Sequence, residues 1–458
     1  MDPATFIDPN LTVPDRLVLE HLLKEAESPA AAAATATAAG KKNPNVNGND
    51  NGNDNGNSAH GPTGHEQEEE VDSETQATIT HLSALNSPSS SSFTPTVFVT
   101  WDLPQLTTSL PTLLNECLLQ PYIRTARALV RVETDVVMLT HLLLYFTTSV
   151  PSALYLFFGT FHWWHGLVHW LMQSYYVGTY TLMMHQHIHM GGILTRAHPL
   201  AVLFDTVFPY LLDPLMGHTW NSYFYHHVKH HHVEGNGPRD LSSTLRYQRD
   251  CPRDFACYVA RFYFLVWVEL PAYFLRRGQL VTAAKAGLWE LGTYAMIAAA
   301  WRWGGWRPTL FVLLLPVLQL RVGLMVGNWG QHALVDEIDP DSDFRSSITL
   351  IDVASNRFCY NDGYHTSHHL NPRRHWRDHP VAFLRQHRRY AAEQALVFRN
   401  IDYIMITIRL LRKDYLHLAK CLVPMGEQVG MTLEEKAEML RRKTRRFSEE
   451  EIARKFKL

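Results

Sequence analysis

Several stretches of this sequence are apolar for about the 20 residues that a helix needs to cross a bilayer. Two follow each other at about residues 136–158 and 161–184, and three more lie at about 255–275, 282–301 and 308–326. A segment inside a bilayer has to satisfy its backbone hydrogen bonds internally, so each of these stretches is expected to be helical. The sequence therefore predicts an all-α integral membrane protein.

Histidine is frequent in this chain, with 26 residues, and several histidines stand where apolar stretches end. Spacings of three and four residues place side chains on one face of a helix. An ionisable ring beside a membrane is costly unless it is paired or binds a metal, and imidazole suits iron, copper and zinc. Four sites share this pattern: His185 with His189, the run 226–232 (HHVKHHH), Asn328 with His332, and His365 with His368 and His369.

Together these sites hold more imidazoles than the roughly four ligands of one zinc ion, so we predict a centre of two metal ions. The central run leaves two alternatives open. One is His227 with His231 and His232, and the other is His226 or His227 with His230 and His231. The competing explanation for all these residues is a set of surface histidines at the boundary of the lipid head groups.

The histidine sites also constrain the topology, because a shared metal centre needs all of them on one side of the membrane. An even number of crossings must then separate residue 232 from Asn328, so one of the three intervening apolar stretches does not span. Residues 255–275 contain Arg261 and Glu269 and favour a helix in the membrane plane, which keeps the basic pair that follows in the cytosol. We therefore expect about four transmembrane helices, interfacial helices and a cytosolic helical cap that carries the histidine sites.

The rest of the chain is divided by composition. Residues 1–27 are expected to contain an amphipathic helix, and the low-complexity residues 28–92 to be disordered because they cannot bury enough apolar surface. Residues 104–372 form the predicted membrane domain with the histidines, and 373–458 a cytosolic, basic, helical region. Residues 200–216, which prolines interrupt, are expected to be re-entrant or interfacial.

Charge, cysteine content and the first residues indicate which partners and which cellular environment to expect. The formal net charge is −2, which gives no reason to expect a nucleic-acid partner. The five cysteines form no CxxC pair, as is typical of a reduced, cytosol-facing protein. The first 27 residues lack the apolar core of a signal peptide, so no cleaved signal is expected.

The histidine motifs resemble those of one known superfamily. The HxxxH of His185 and His189, the histidine-rich run and the YHTSHH of residues 364–369 are similar to the motifs of the membrane fatty-acid desaturases, whose relatives include acyl-CoA desaturases and alkane ω-hydroxylases. The NWGQH of residues 328–332 resembles the family's NxxxH element, in which the histidine is an extra ligand and the asparagine reaches the metal through a water. The resemblance extends over about residues 136–372.

The resemblance also selects one register in the central run. Residues 231–243 (HHVEGNGPRDLSS) resemble the segment after the second motif of the ω-hydroxylases, which places the paired histidines at His231 and His232. His227 then begins an HxxxHH. The implied metal ligands are His185, His189, His227, His231, His232, Asn328, His332, His365, His368 and His369.

The resemblance implies two iron ions that use dioxygen and two electrons to oxidise an unactivated C–H bond of a fatty-acyl or other lipid chain. It also implies an external electron donor, such as cytochrome b5 or a ferredoxin, and a place in the endoplasmic reticulum membrane with the active site facing the cytosol. Each ligating imidazole needs a partner for its second nitrogen. Nearby candidates are Glu234, Asp240, Asp336 and Asp362.

Three functions are compatible with these motifs. The first is desaturation, which inserts a double bond into a fatty-acyl chain. The closest alternative is hydroxylation of a lipid or alkyl chain at the same di-iron site, because both reactions begin with hydrogen abstraction. A zinc-dependent membrane lipid hydrolase, or a receptor-like protein, is a further alternative that uses similar histidines.

Overall fold

The computed structural model describes residues 2–27, 72–99 and 101–457. This part of the chain is mostly helical and also contains a two-stranded and a three-stranded sheet. Three of its helices are long and apolar enough to cross a membrane: Val136–Phe158, Pro252–Arg276 and Trp306–His332. The predicted helical class is confirmed, and these three helices are candidates for membrane spans.

The N-terminal part consists of short elements around a small sheet. In chain order these are α1 (Val13–Glu27), α2 (Ser73–Asn86), β1 (Thr96–Phe98), β2 (Trp101–Asp102), α3 (Leu103–Ser109) and α4 (Gln120–Leu129). A helical turn at Thr112–Leu114 and a π-helical turn at Asn115–Leu119 lead into α4.

Helix α2 lies within the region predicted to be disordered. Residues 28–71 of that region lie outside the described residues, but the prediction is wrong for α2. The Asp72 carboxylate caps this helix by accepting from the backbone amides of Glu74 and Thr75. Ile79 and Leu82 then pack in the same core as Val18 and Leu19 of α1, so this stretch does bury apolar surface.

Six longer helices carry the centre of the molecule. They are α5 (Val136–Phe158), α6 (Trp163–Met190), α7 (Pro199–Leu215), α8 (Pro252–Arg276), α9 (Leu280–Ala299) and α10 (Trp306–His332). A π-helix at Phe224–His231 and a turn at His232–Glu234 lie between α7 and α8, and π-helical turns occur at Tyr145–Ser149, Ala300–Gly304 and Leu310–Leu314.

Helices α6 and α10 run in the same direction. Their first residues meet at one end of the molecule, where the rings of Trp163 and Trp306 are 5.8 Å apart. Their last turns carry His189 and His332 at the opposite end. α5 and α9 run the other way, since a side chain at Gly304, just after α9, would touch Phe157 near the end of α5. Two helices thus lead away from the histidine end and two return to it.

Helix α7 enters this bundle and does not cross it. Asp205 lies beside His187 near the end of α6, whereas the Leu215 carbonyl accepts a hydrogen bond of 3.1 Å from Gln173, about 21 Å earlier along α6. The chain turns at Gly217, whose φ of +84° and close approach to the Pro316 carbonyl exclude a side chain. It then returns towards the histidines, in agreement with a re-entrant segment.

Helix α8 lies along the histidine end of the molecule. The Tyr258 hydroxyl is 2.6 Å from the Asn328 amide nitrogen, and the Tyr273 ring is 4.1 Å from the His230 ring. These two tyrosines are about 22 Å apart along the helix. Both ends of α8 therefore contact the polar segments that carry histidines.

The C-terminal part packs onto this end as a cap. Its elements are α11 (Asp343–Ser346), β3 (Ile348–Ile351), α12 (Ala354–Phe358), α13 (His365–Leu370), α14 (His379–Arg385), α15 (His387–Ala392), β4 (Leu396–Arg399), α16 (Tyr403–Leu411), α17 (Tyr415–Cys421), β5 (Leu422–Val423), α18 (Leu433–Arg442) and α19 (Glu449–Lys455), with 3-10 turns at Trp376–Asp378 and Gly426–Gly430. β3 pairs in parallel with β4, which pairs antiparallel with β5. The pairing of β3 with β4 joins residues on both sides of residue 372, where the sequence predicts the boundary between the membrane domain and the C-terminal region.

Arg249 joins the C-terminal cap to the histidine end. Its side chain is fully buried, and its guanidinium donates to three separate parts of the backbone. The acceptors are the carbonyls of Thr244 at 3.2 Å, Ala333 at 3.0 Å and Lys443 at 3.0 Å. The planar fork of arginine satisfies carbonyls that would otherwise be buried without donors.

Replacing Arg249 with alanine should destabilise the protein by about 3 kcal/mol or more, because several buried carbonyls lose their donor at once. The measurement is thermal unfolding of the purified protein in detergent. Arg441→Ala is the matched control, since the ion pair of Arg441 with Glu438 is exposed. Equal melting temperatures for the two variants would contradict the role given to Arg249.

Candidate metal centre

Nine histidines from four parts of the chain converge at the end of the bundle. α6, the π-helix with its following turn, α10 and α13 each contribute some of them. Cluster A consists of His185, His189, His227, His232 and His368, and cluster B of His231, His332, His365 and His369. Within each cluster the potential ligand atoms lie within 4.8 Å of one another.

The imidazoles of cluster A face a common point. Four Nε2 atoms form a closed ring, with distances of 3.1 Å from His185 to His227, 3.1 Å from His227 to His232, 2.8 Å from His232 to His368 and 3.0 Å from His368 to His185. The His189 ring lies 4.8 to 5.1 Å from each of these four rings. The fifth imidazole is thus nearly equidistant from the other four.

Cluster B is smaller and lies directly beside cluster A. The Nε2 atoms of His332 and His365 are 3.0 Å apart, and the His369 ring is 4.5 Å from that of His365. His231 completes the cluster, with its ring 5.3 Å from that of His332. Between the clusters, the rings of His232 and His369 are 5.2 Å apart. The arrangement is that of two adjacent sites.

The π-helix at Phe224–His231 decides how the central run is divided. In a π-helix the backbone hydrogen bonds join residues five apart, so side chains with that spacing lie together. His227 therefore meets His232 in cluster A, while His231 turns towards cluster B. The α-helical spacing assumed for His227 and His231 is wrong here, although all three residues belong to the site.

The alternative residues of the run point elsewhere. The His226 ring lies 5.0 Å from that of Phe262 on α8. The His230 Nε2 accepts a 2.8 Å hydrogen bond from the Leu241 amide, and its ring packs on Tyr273. Neither belongs to a cluster, so the geometry favours the register with His227, His231 and His232.

Asn328, the tenth predicted ligand, lies outside both clusters. Its amide nitrogen donates to the Ser242 carbonyl at 3.0 Å and to the Tyr258 hydroxyl at 2.6 Å. Its side chain lines the cavity next to the histidines. With the nitrogen occupied, the amide oxygen is the atom that Asn328 can offer to that cavity.

Carboxylates orient two of the imidazoles as predicted. Asp240 lies 2.7 Å from Nδ1 of His231, and Asp362 lies 3.4 Å from Nδ1 of His185. A carboxylate accepts a hydrogen bond from the Nδ1–H group and thereby leaves the lone pair on Nε2, the nitrogen that faces the cluster. Gln331 in turn donates to Asp362 at 2.8 Å.

A third carboxylate of this kind, Asp343, was not among the predicted candidates. It lies 3.2 Å from Nδ1 of His369, although 26 residues separate the two, so no local spacing signals the contact. The other two candidates form ion pairs with basic residues instead. Glu234 pairs with Arg277, and Asp336 pairs with Lys443 at 2.7 Å.

Burial favours, for four of these imidazoles, the neutral form that a metal requires. It lowers the pKa of His227, His232, His365 and His368 well below the ordinary value, and the neighbouring imidazoles lower it further. Burial alone would raise the pKa of the Asp240 carboxyl. The adjacent His231 and His230 nevertheless hold the pKa of Asp240 well below its usual range.

The two clusters fit metal ions on chemical grounds. Buried polar atoms almost always have hydrogen-bond partners. The Nε2 atoms of His189 and His369 are buried, yet no residue in the described part of the chain bonds to them. Because several neighbouring rings also direct lone pairs at the same points, a cation in each cluster would satisfy all of these nitrogens together.

A cavity of about 480 Å³ adjoins the clusters and runs between α6 and α10. At one end it is lined by histidines of both clusters, including His185 and His365. Most of its remaining wall is apolar, with Leu182, Leu320 and Leu324 among the lining residues. A largely apolar cavity with a few convergent polar groups is typical of a small-molecule site.

Comparison with known proteins gives one result. Residues 161–401, more than half of the chain, match a family model described as "Fatty acid desaturase". The matched region includes all nine clustered histidines. No curated protein and no solved structure matches the chain.

The division of the central run can be tested by metal analysis. His227→Ala should lower the metal content of the purified protein from about two ions per chain towards one, because cluster A loses a corner of its nitrogen ring. His226→Ala is the matched control and should leave the metal content unchanged. Elemental analysis by mass spectrometry measures both variants, and a greater loss in His226→Ala would reverse the assignment.

Proposed function

This chain belongs to the fatty acid desaturase family, and we propose that it is a membrane oxidoreductase that inserts a double bond into a fatty-acyl chain at a pair of iron ions. The observation that carries the proposal is the pair of adjacent clusters of buried imidazoles beside an apolar cavity. The proposed ligands are the nine clustered histidines, with Asn328 contributing its amide oxygen from the cavity wall.

The number of ligands in cluster A supports iron over zinc. Structural zinc sites are tetrahedral with four ligands. Cluster A brings five imidazoles together, and imidazole also suits iron.

We also propose that four helices, α5, α6, α9 and α10, cross the membrane. Helix α8 is long and apolar enough to cross, but both of its ends contact segments at the histidine level, which supports an orientation along the membrane surface. The basic pair Arg276 and Arg277 at its end then lies in the cytosol together with the clusters. We also propose that the membrane these helices cross is that of the endoplasmic reticulum.

The protein's own residues hold and shield the site. Asp240, Asp362 and Asp343 fix the tautomers of their histidines, so that Nε2 lone pairs face the metals. The apolar cavity excludes water from the chain that reacts. When bound, the irons supply the redox chemistry: dioxygen, two electrons, two protons and two substrate hydrogens leave as two water molecules.

We propose that electrons come from a separate donor, such as cytochrome b5 or a ferredoxin. The proposed cytosolic position of the clusters leaves them within reach of a soluble partner. Reconstitution of the purified protein with each donor and its reductase identifies the one that supports turnover.

Hydroxylation is the second candidate function. The observation in its favour is the segment from His231 to Asp240, which resembles the corresponding segment of the ω-hydroxylases and supplies the carboxylate on His231. In that reaction one substrate hydrogen is replaced by a hydroxyl group, and only one water molecule is released. The same clusters and cavity would serve both reactions.

Product mass separates the two candidates. Expression in a host with a defined lipid profile, under ¹⁸O₂, should give a product that has lost two hydrogens and carries no ¹⁸O. A product that has gained one ¹⁸O atom would establish hydroxylation instead. Zinc without iron in the purified protein would contradict both.

Substitution of single ligands tests the role of the clusters in turnover. His231→Ala and His368→Ala should each abolish activity, because each removes a nitrogen from one of the two sites. Membrane insertion, measured by fractionation, should remain intact because both residues lie outside the proposed crossings. His187→Ala is a control outside the clusters, since His187 contacts Asp205 instead. A fully active His231→Ala variant would argue strongly against the di-iron assignment.

A further inference from the structure

Two glycines of α10 that line the cavity have free space where a side chain would begin. A Cβ atom added to Gly323 or Gly327 of α10 would meet no atom within 4 Å, so these positions open directly into free space. At the end of the bundle opposite the histidines, a Cβ atom at Gly166 of α6 would lie 2.8 Å from Phe311. α6 and α10 therefore pack closely at the far end and leave a gap near the clusters.

A polar contact between α6 and α10 lies where the open gap near the clusters ends and the close packing of the two helices begins. Ser174 of α6 donates a 2.8 Å hydrogen bond to Gln319 of α10, and both residues line the inner end of the cavity. The Ser174 hydroxyl also lies 2.8 Å from the Trp170 carbonyl of its own helix, which fixes the side chain at this position. This Ser174–Gln319 contact is the floor of the cavity.

One side of the cavity is closed by an element of the cap. Phe358 of α12 packs over Gly178, where a Cβ atom would lie 3.1 Å from its ring. Phe358 also lies 5.6 Å, ring to ring, from Tyr175. The end of the cavity opposite the floor reaches polar residues of the cap, including Ser355 and Asp402. A chain with a polar head group therefore has one favourable orientation, with its apolar end at the floor.

The depth of the cavity follows from helix geometry. Ser174 precedes His185 by 11 residues of α6, which corresponds to about 16 Å. An extended hydrocarbon advances about 1.25 Å per carbon, from C–C bonds of about 1.52 Å and angles of about 111°. The cavity thus accommodates roughly a dozen carbons between the clusters and the floor.

We propose that the gap between α6 and α10 measures the substrate from its methyl end, with Ser174 and Gln319 as the stop. The proposal rests on the proposed function for the identity of the reaction, and it assigns a substrate class, a single unbranched chain. The oxidised carbon lies at most roughly a dozen carbons from the methyl terminus. Gly323 and Gly327 are the specificity-determining positions because they keep the gap open.

Photolabelling tests the binding mode independently of turnover. The probe is a straight-chain fatty acid with a diazirine next to its terminal carbon, applied to the full-length protein in detergent, and labelled peptides are identified by mass spectrometry. Label is expected on the turns around Ser174 and Gln319. Gly323→Leu should remove most of that label, because the new side chain blocks the gap about 6 Å above the floor.

Gly292→Leu is the matched control. Gly292 also has free space around its Cβ position, but it lies on α9 and does not line this cavity. It should retain wild-type labelling. Label distributed equally on α9 and α10, or unchanged labelling in a folded Gly323→Leu variant, would overturn the proposal.

Product analysis gives the second readout. With chains of increasing length, the oxidised position should stay constant when counted from the methyl end, and Gly323→Leu should shift it by about five carbons towards that end. A position constant from the head group would overturn the proposal. Correct labelling without any oxidation would count against the proposed function alone and would leave the binding mode supported.

Discussion

The structure depends on nine imidazoles that face one another from four separate segments. Burial lowers the pKa of His227, His232, His365 and His368 and so favours their neutral form, and carboxylates lie against Nδ1 of three others. Bringing so many buried imidazoles together is costly while their nitrogens lack partners, so the surrounding protein has to hold the segments together. The buried guanidinium of Arg249 and the parallel pairing of β3 with β4 both do so.

The same requirement shapes the rest of the bundle. α6 and α10 bring their histidines to one place. They also leave a gap between them, which forms the cavity beside the clusters. Glycines open the gap near the clusters, and close packing of Gly166 on Phe311 closes it further away. α7 enters between the helices without crossing, so the loop that follows it brings the central histidine run back to the site.

Apolar length predicted the helical class, and histidine spacing indicated the four sites, because both are local signals. Spacing alone left the central run open, and the family resemblance selected His227, His231 and His232. It did not predict α2, since a short apolar face beside a low-complexity region carries little signal until its partner α1 is known. Asp343 was missed for a similar reason, as its contact with His369 depends on the folded cap. The π-helix could not be expected from residue types alone, because an α-helix places His227 and His231 together equally well.

That π-helix has a mechanical consequence. His231 and His232 are neighbours in the chain, yet they serve different clusters. One peptide unit, with its fixed span of about 3.8 Å between Cα atoms, therefore couples the two sites covalently. Motion of this shared backbone moves residues of both clusters together, so the spacing between the clusters is less sensitive to thermal motion than the position of either cluster.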